Sequence, residues 1–129
     1  MSVMVVLVPN VLRSMLFVPG NNWRMLVGAG KEGADAVIID LEDAVPIEEK
    51  ETARVFARDS VSTLKAQGLD VFVRVNSLAT GLAAEDIGAV VCKGLDGIML
   101  PKAESEEEIV QLDKLIEKKE QEIGLRSPA

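Results

Sequence analysis

The chain has no histidine and a single cysteine, Cys92, among its 129 residues. Without histidine the usual zinc sites and every triad built on an imidazole base are excluded. One cysteine cannot form an intramolecular disulfide, and Cys92 follows the apolar Ala89-Val-Val91, so it reads as core material rather than as a nucleophile. Any metal must be a hard cation held by oxygen, such as magnesium. Basic surplus is missing too: the formal net charge is −7, and residues 104–122 carry −5 of it through eight acids and three lysines. That leaves no basic face for nucleic acid. The apolar residues 3–8 are too few to span a membrane and lack the basic flank of a signal peptide, so the expectation is a cytoplasmic protein without a membrane contact. The chain is 48% hydrophobic and 27% charged, a globular balance for one domain at most.

The most informative segment is Ala36-Val-Ile-Ile-Asp-Leu-Glu-Asp-Ala-Val45, an apolar run followed by Asp40, Glu42 and Asp43 and broken at Pro46. Near-continuous apolar residues mark a parallel strand covered on both faces. The carboxylates then fall at its carboxyl end, where α/β folds place their chemistry.

Periodicity gives four strand–helix alternations. The strands are residues 15–18, closed by Pro19-Gly20; 36–41; 71–75; and 97–100, closed by Pro101-Lys102. Asn21 or Asn22 caps a helix starting near Trp23, and Pro46 opens one running to about Gln67. A short apolar helix covers residues 84–92, and Ser105-Glu-Glu-Glu108 is a capping box for a charged amphipathic helix that stops at Gly124. Such alternation predicts an α/β fold with a parallel sheet and right-handed crossovers. Two architectures compete: the first half, about four βα units, of a (β/α)8 TIM barrel, with open edges on its first and fourth strands, or a flavodoxin-type sheet whose fifth strand only residues 3–8 can supply.

The strand ends bring Pro19 and Gly20, Glu42 and Asp43, Arg74 and Asn76, and Lys102 to one rim. Arg74 has two readings: a bidentate clamp for a substrate carboxylate, or an ion pair with Glu42 or Asp43. Asp40 and Glu42 share a strand face and Asp43 takes the other; Asp43 is also a candidate cap for the helix opened by Pro46. Lys102 is either a site group or a solvated lysine. Gly28-Ala-Gly-Lys-Glu-Gly33 matches G-x-G-x-x-G but closes a helix and leads into a strand, the reverse of a dinucleotide site.

Together, Leu12-Arg-Ser-Met-Leu-Phe-Val-Pro-Gly-Asn21, Ala34-Asp-Ala-Val-Ile-Ile-Asp-Leu-Glu-Asp-Ala-Val45, Glu49-Lys50 with Ala53-Arg54, Val73-Arg-Val-Asn76 and Leu100-Pro-Lys102 resemble the citrate lyase β-subunit family, which includes the HpcH/HpaI aldolases and the malyl- and citramalyl-CoA lyases. The resemblance implies a partial TIM-barrel domain over residues 12–124, an amino-terminal extension at 1–11 without a family counterpart, and a tail at 125–129. It implies a magnesium-dependent carbon–carbon lyase acting on an acyl-CoA or acyl-carrier-protein thioester and releasing a 2-oxo acid, in a homo-oligomer. By the same resemblance Arg74 binds substrate, with Phe17, Pro19, Gly20, Asn76 and Lys102 beside it. Glu42 and Asp43 are the catalytic candidates, and Asp40, Glu42 and Asp43 are outer-shell partners of the magnesium ion.

Three departures stand out. Asn22 and Gly28 replace basic residues of several thioester-cleaving relatives, with Arg24 or Lys31 as substitutes. The extension has no match. The family's direct magnesium ligands, a glutamate and an aspartate after the fifth and sixth strands, are expected beyond Ala129. The alternative is a non-catalytic or self-associating half-barrel.

Overall fold

A computed structural model describes residues 15–101 and 105–124, together with the backbone of residues 4–6. The strands are β1 (Met4–Val6), β2 (Met15–Pro19), β3 (Ala36–Asp40), β4 (Asp70–Arg74) and β5 (Gly97–Met99); the helices are α1 (Trp23–Gly28), α2 (Lys50–Ala66), α3 (Ala83–Val90) and α4 (Glu106–Glu122). All strand pairs are parallel, in the order β1-β5-β4-β3-β2.

Local chemistry fixes the elements much as the sequence predicts. Asn22, not Asn21, caps α1, its Oδ1 accepting from the Met25 N–H at 3.1 Å. Ser105 Oγ accepts from the Glu108 N–H at 3.3 Å at the start of α4. The helix after Pro46 begins as a 3-10 turn at Ile47–Glu49 and carries no side-chain cap, so Asp43 does not cap it. The glycine-rich stretch has a packing explanation. Gly30 donates its N–H to Gln67 Oε1 at 3.0 Å while Gln67 Nε2 donates to the Val27 carbonyl at 2.9 Å, and a Cβ at position 30 would collide with the Gln67 amide.

Helix placement decides between the two architectures. Val18, Val37, Ile39, Val71, Val73 and Ile98 form one core with Leu26 of α1, Ala57 and Leu64 of α2, Ile87 of α3 and Ile116 of α4. All four helices therefore cover one sheet face, each packed beside the next. A doubly wound sheet would divide them between two faces. The opposite face, carrying Phe17, Asp40, Phe72 and Arg74, has no helix over it among the described residues, and Phe17 is 45% exposed. The chain is thus the four-unit first half of a (β/α)8 barrel, seen with its interior face open.

One expectation needs correction. Among the described residues β2 leaves its edge open, but the edge of the fourth barrel strand is covered by β1, whose own outer edge is the other border of the sheet. The apolar run at residues 3–8 does supply a fifth strand, yet it joins a barrel-type layer rather than a flavodoxin-type one.

Candidate functional site

Strand register builds the site. Asp40 and Arg74 are direct cross-strand partners at the carboxyl ends of β3 and β4, so their side chains leave the sheet on the same face. Arg74 Nε donates to Asp40 Oδ1 at 2.9 Å and Nη2 to Oδ2 at 2.7 Å, a fork-to-fork pair. Asp40 also accepts the Glu42 N–H at 2.8 Å and the Ala44 N–H at 3.1 Å, folding the chain after β3 into a tight loop. Burial pushes the Asp40 carboxyl up, but the Arg74 bonds and the two backbone N–H groups outweigh it and hold the pKa below the ordinary value. Arg74 is raised in turn by its bond to Asp40, so it stays a cation.

The guanidinium of Arg74 lies 5.3 Å from the centroid of the Phe17 ring, within cation–π range. Phe17, Val18, Pro19, Asp40, Ala44 and Arg74 line a cleft of about 390 Å³ on the open sheet face. Glu42 Oε1 stands 3.8 Å from Arg74 Nε. Burial, and next the negative charge of Asp43, raise the Glu42 pKa above its ordinary value. Glu42 therefore holds its proton to higher pH than an exposed glutamate.

Beneath the loop, Lys50 Nζ donates to three carbonyls, Leu41 at 2.8 Å, Glu42 at 3.0 Å and Val45 at 3.0 Å. It acts as a cationic peg for the segment that carries Glu42 and Asp43. Gly20 closes the other side, donating its N–H to the Asp40 carbonyl at 2.8 Å. A Cβ at position 20 would lie 2.9 Å from Leu41 Cδ2 and 3.0 Å from the Asp40 carbonyl oxygen. The Gly20→Ala variant is expected to lose about 2 kcal/mol of stability by overpacking, read as an earlier urea midpoint at unchanged slope.

Of the site residues predicted from sequence, Phe17, Pro19, Asp40 and Arg74 meet in the cleft, with Gly20 and Glu42 adjoining it. Asp43 sits exposed in the loop after β3, where strand alternation no longer governs its direction. The ion-pair partner of Arg74 is chiefly Asp40 and not Glu42 or Asp43, because register sets Asp40 directly opposite. Asn76 is not brought into the cleft: it is buried, and its Nδ2 donates to the Leu41 carbonyl at 3.1 Å and to Asp86 Oδ2 at 2.7 Å. Lys102 lies outside the described residues. Cys92 belongs to a separate cleft with Arg58, Lys93 and Lys119, and burial pushes its thiol pKa up, against a role as a thiolate nucleophile.

Sequence reasoning gave no role to Lys50 and Arg54, which it quoted only within the family pattern, and it missed Asp86. Asp86 was legible as a lone acid on the apolar stripe formed by Ala83, Ile87 and Val90, a position where a carboxylate requires a buried partner. That partner is Arg54, whose Nε donates to Asp86 Oδ1 at 2.7 Å.

The residues present do not fit a directly bound magnesium ion. Both Asp40 oxygens already accept two hydrogen bonds each. Among the described residues no three His, Cys, Asp or Glu side chains gather as a ligand set. No helix among them is long and apolar enough to cross a membrane.

Fold and site define a class: half of a (β/α)8 barrel with an arginine–carboxylate pair at its carboxyl rim. The chain belongs to the HpcH/HpaI aldolase/citrate lyase family, which it matches over residues 13–128. It is 42% identical over 112 residues to the citrate lyase subunit beta of Leuconostoc mesenteroides subsp. cremoris, covering 87% of this chain and 37% of that protein. It is 33% identical over 99 residues to the human mitochondrial citramalyl-CoA lyase, covering 75% of this chain and 29% of that one. The citrate lyase beta subunit of Mycobacterium tuberculosis, solved with oxaloacetate and magnesium, superimposes with a TM-score of 0.66 at 33% identity over 78% of this chain and 44% of that one. Another structure of that protein holds magnesium, acetoacetate and coenzyme A. The chain spans about two fifths of the length of the citrate lyase beta subunits it matches.

Proposed function

We propose that this chain forms the substrate-orienting half of a citrate lyase β-subunit-like carbon–carbon lyase. Its substrate is an acyl-CoA or acyl-carrier-protein thioester of the citryl, malyl or citramalyl type, cleaved to an acetyl or related thioester and a 2-oxo acid. The observation that carries the reading is the Arg74–Asp40 fork at the rim of a family barrel. Asp40 takes one N–H from Nε and one from Nη2, which leaves Nη1 and the second Nη2 hydrogen for a substrate carboxylate.

Asp40 fixes the plane of the guanidinium and Phe17 supports its face, so the clamp is oriented before substrate arrives. Pro19 and Gly20 shape the wall next to it. Glu42, with its raised pKa, is the group beside Arg74 suited to hold or pass a proton, and the Lys50 peg keeps its loop in place. Asp43, exposed at the rim, is the second acid–base candidate. Magnesium would polarise the oxo acid; here Asp40, Glu42 and Asp43 stand outside its direct ligands, and Lys102 is a further candidate for binding substrate. The active assembly is a cytoplasmic homo-oligomer.

Nε-detected NMR of the arginine side chains tests the reading. Adding oxaloacetate, acetoacetate or glyoxylate is expected to shift the Arg74 signal, while the neutral ketone acetone leaves it in place. With magnesium and citryl-, malyl- or citramalyl-CoA the 129-residue chain is expected to show no turnover. An unmoved Arg74 signal would overturn its role as a carboxylate clamp, and robust magnesium-dependent cleavage would overturn the half-site reading.

A further inference from the structure

The edge strand β1 has no place in the family match, which begins at residue 13, yet it occupies a defined barrel position. Taken as barrel strands, β2, β3, β4 and β5 are the first to the fourth, lying side by side in chain order. In a (β/α)8 barrel the next neighbour of the fourth strand is the fifth, parallel to it and reached through the fourth helix. β1 lies parallel beside β5, with Met4, Val5 and Val6 opposite Gly97, Ile98 and Met99, and α4 packs against it. Direction, neighbour and covering helix are all those of a fifth strand.

We propose that residues 4–6 are an intramolecular stand-in for the fifth barrel strand, closing the β5 edge against strand addition by further chain or by a second copy. The edge matters because β5 otherwise presents a row of unpaired backbone groups. Any strand that extends the sheet at β5 must first displace β1, so the amino-terminal segment is a built-in competitor for barrel completion. The inference rests on the fold and family, not on the proposed activity.

Hydrogen-bond direction makes it testable. Val75 donates its N–H to the Met99 carbonyl at 3.1 Å, while Arg74 turns its carbonyl the other way, to the Leu41 N–H at 2.9 Å. A residue's N–H and C=O leave a strand on the same edge and successive residues alternate, so Gly97 and Met99 face β4 while the Ile98 N–H faces β1. On the far edge, Gly20 donates toward β3, so the Phe17 N–H faces outward, without a strand beside it among the described residues, and serves as the reference.

Residue-resolved hydrogen exchange on the intact chain is the experiment. Ile98 is expected to exchange at least ~100-fold more slowly than Phe17, independently of protein concentration. Exchange as fast as that of Phe17 would overturn the proposal, and so would protection that appears only at high concentration, since a second copy would then be the strand. Two proline variants give a second readout. The groups of Ile98 that face β1 pair with those flanking Val5, its N–H with the Met4 carbonyl and its carbonyl with the Val6 N–H, so the Val6 N–H is the donor to β5 and the Val5 N–H points away. Val6→Pro is expected to bring Ile98 toward the rate of Phe17 while Gly97 and Met99 stay protected; Val5→Pro, with its missing donor on the outer edge, is expected to leave Ile98 protected. Equal behaviour of the two variants would overturn the register. Should Val6→Pro unfold the chain, the comparison within the unaltered protein decides alone.

Discussion

Arg74→Ala is expected to cost about 3 kcal/mol of folding stability, because it leaves a buried carboxylate without its countercharge. Asp40 is 3% exposed and keeps only the Glu42 and Ala44 N–H groups once the guanidinium is gone. The burial that already pushes its pKa up then acts against two bonds instead of four, so the Asp40 carboxyl titrates at higher pH than in the parent chain. The sign is definite. In the parent chain the folded-state pKa lies below the unfolded one, so Asp40 contributes stability above the unfolded value, and that contribution is lost as pH falls through the folded pKa. In Arg74→Ala the loss begins at higher pH, and acid unfolding moves toward neutrality. Carboxyl-carbon NMR of Asp40 and acid unfolding curves check both statements; coincident curves would show that the pair contributes nothing.

The same variant separates structure from recognition. Charge-assisted hydrogen bonds contribute roughly 1.5–3 kcal/mol each, so the loss of Arg74 is expected to weaken binding of an oxo acid by about 30-fold. Arg74→Lys keeps the charge but offers a point donor that cannot span both Asp40 oxygens, so it is expected to restore part of the stability and little of the binding. A lysine variant that binds as well as the parent would reduce Arg74 to a source of positive potential.

How much of this was legible in the sequence depends on the range of the physics involved. The four barrel strands and their stops follow from local patterns: apolar runs of four to six residues ended by Pro19-Gly20, by Pro46 and by Pro101. The helix caps at Asn22 and Ser105 are equally local. Arg74 and the carboxylates reach one rim by topology alone, which alternation of strands and helices predicts. What escaped prediction is set by register and packing across distant segments. That Arg74 faces Asp40 rather than Glu42 is decided by the β3–β4 register. That Asn76 turns into the protein is decided by Asp86, ten residues on, whose own burial depends on α2. The partner of β1 is decided by which edge stays open, and nothing in three apolar residues specifies that.

Asp86→Ala is expected to have the largest effect of any single substitution in the described structure outside the site, a loss of about 4 kcal/mol. Asp86 has no exposed surface, and its Oδ2 accepts both the Asn76 backbone N–H at 2.8 Å and Asn76 Nδ2 at 2.7 Å, while Oδ1 takes Arg54 Nε. Truncation orphans three donors at once, one of them on a guanidinium whose Nη2 is already buried without a hydrogen-bond partner among the described residues. Glu85 cannot compensate, since its bond to Arg54 Nη1 lies at the solvent edge. The consequence extends to the rim: Asn76 ties the end of β4 to the Leu41 carbonyl, which also receives Lys50, so loosening Asn76 loosens the loop that carries Glu42. Thermal unfolding is expected to fall by about 15 °C. Asp86→Asn, which retains an acceptor for Asn76 but not the charge for Arg54, is expected to lose roughly half as much. If Asp86→Ala unfolds at the parent temperature, the buried Arg54–Asp86–Asn76 cluster is not what holds α2 and α3 against the end of β4.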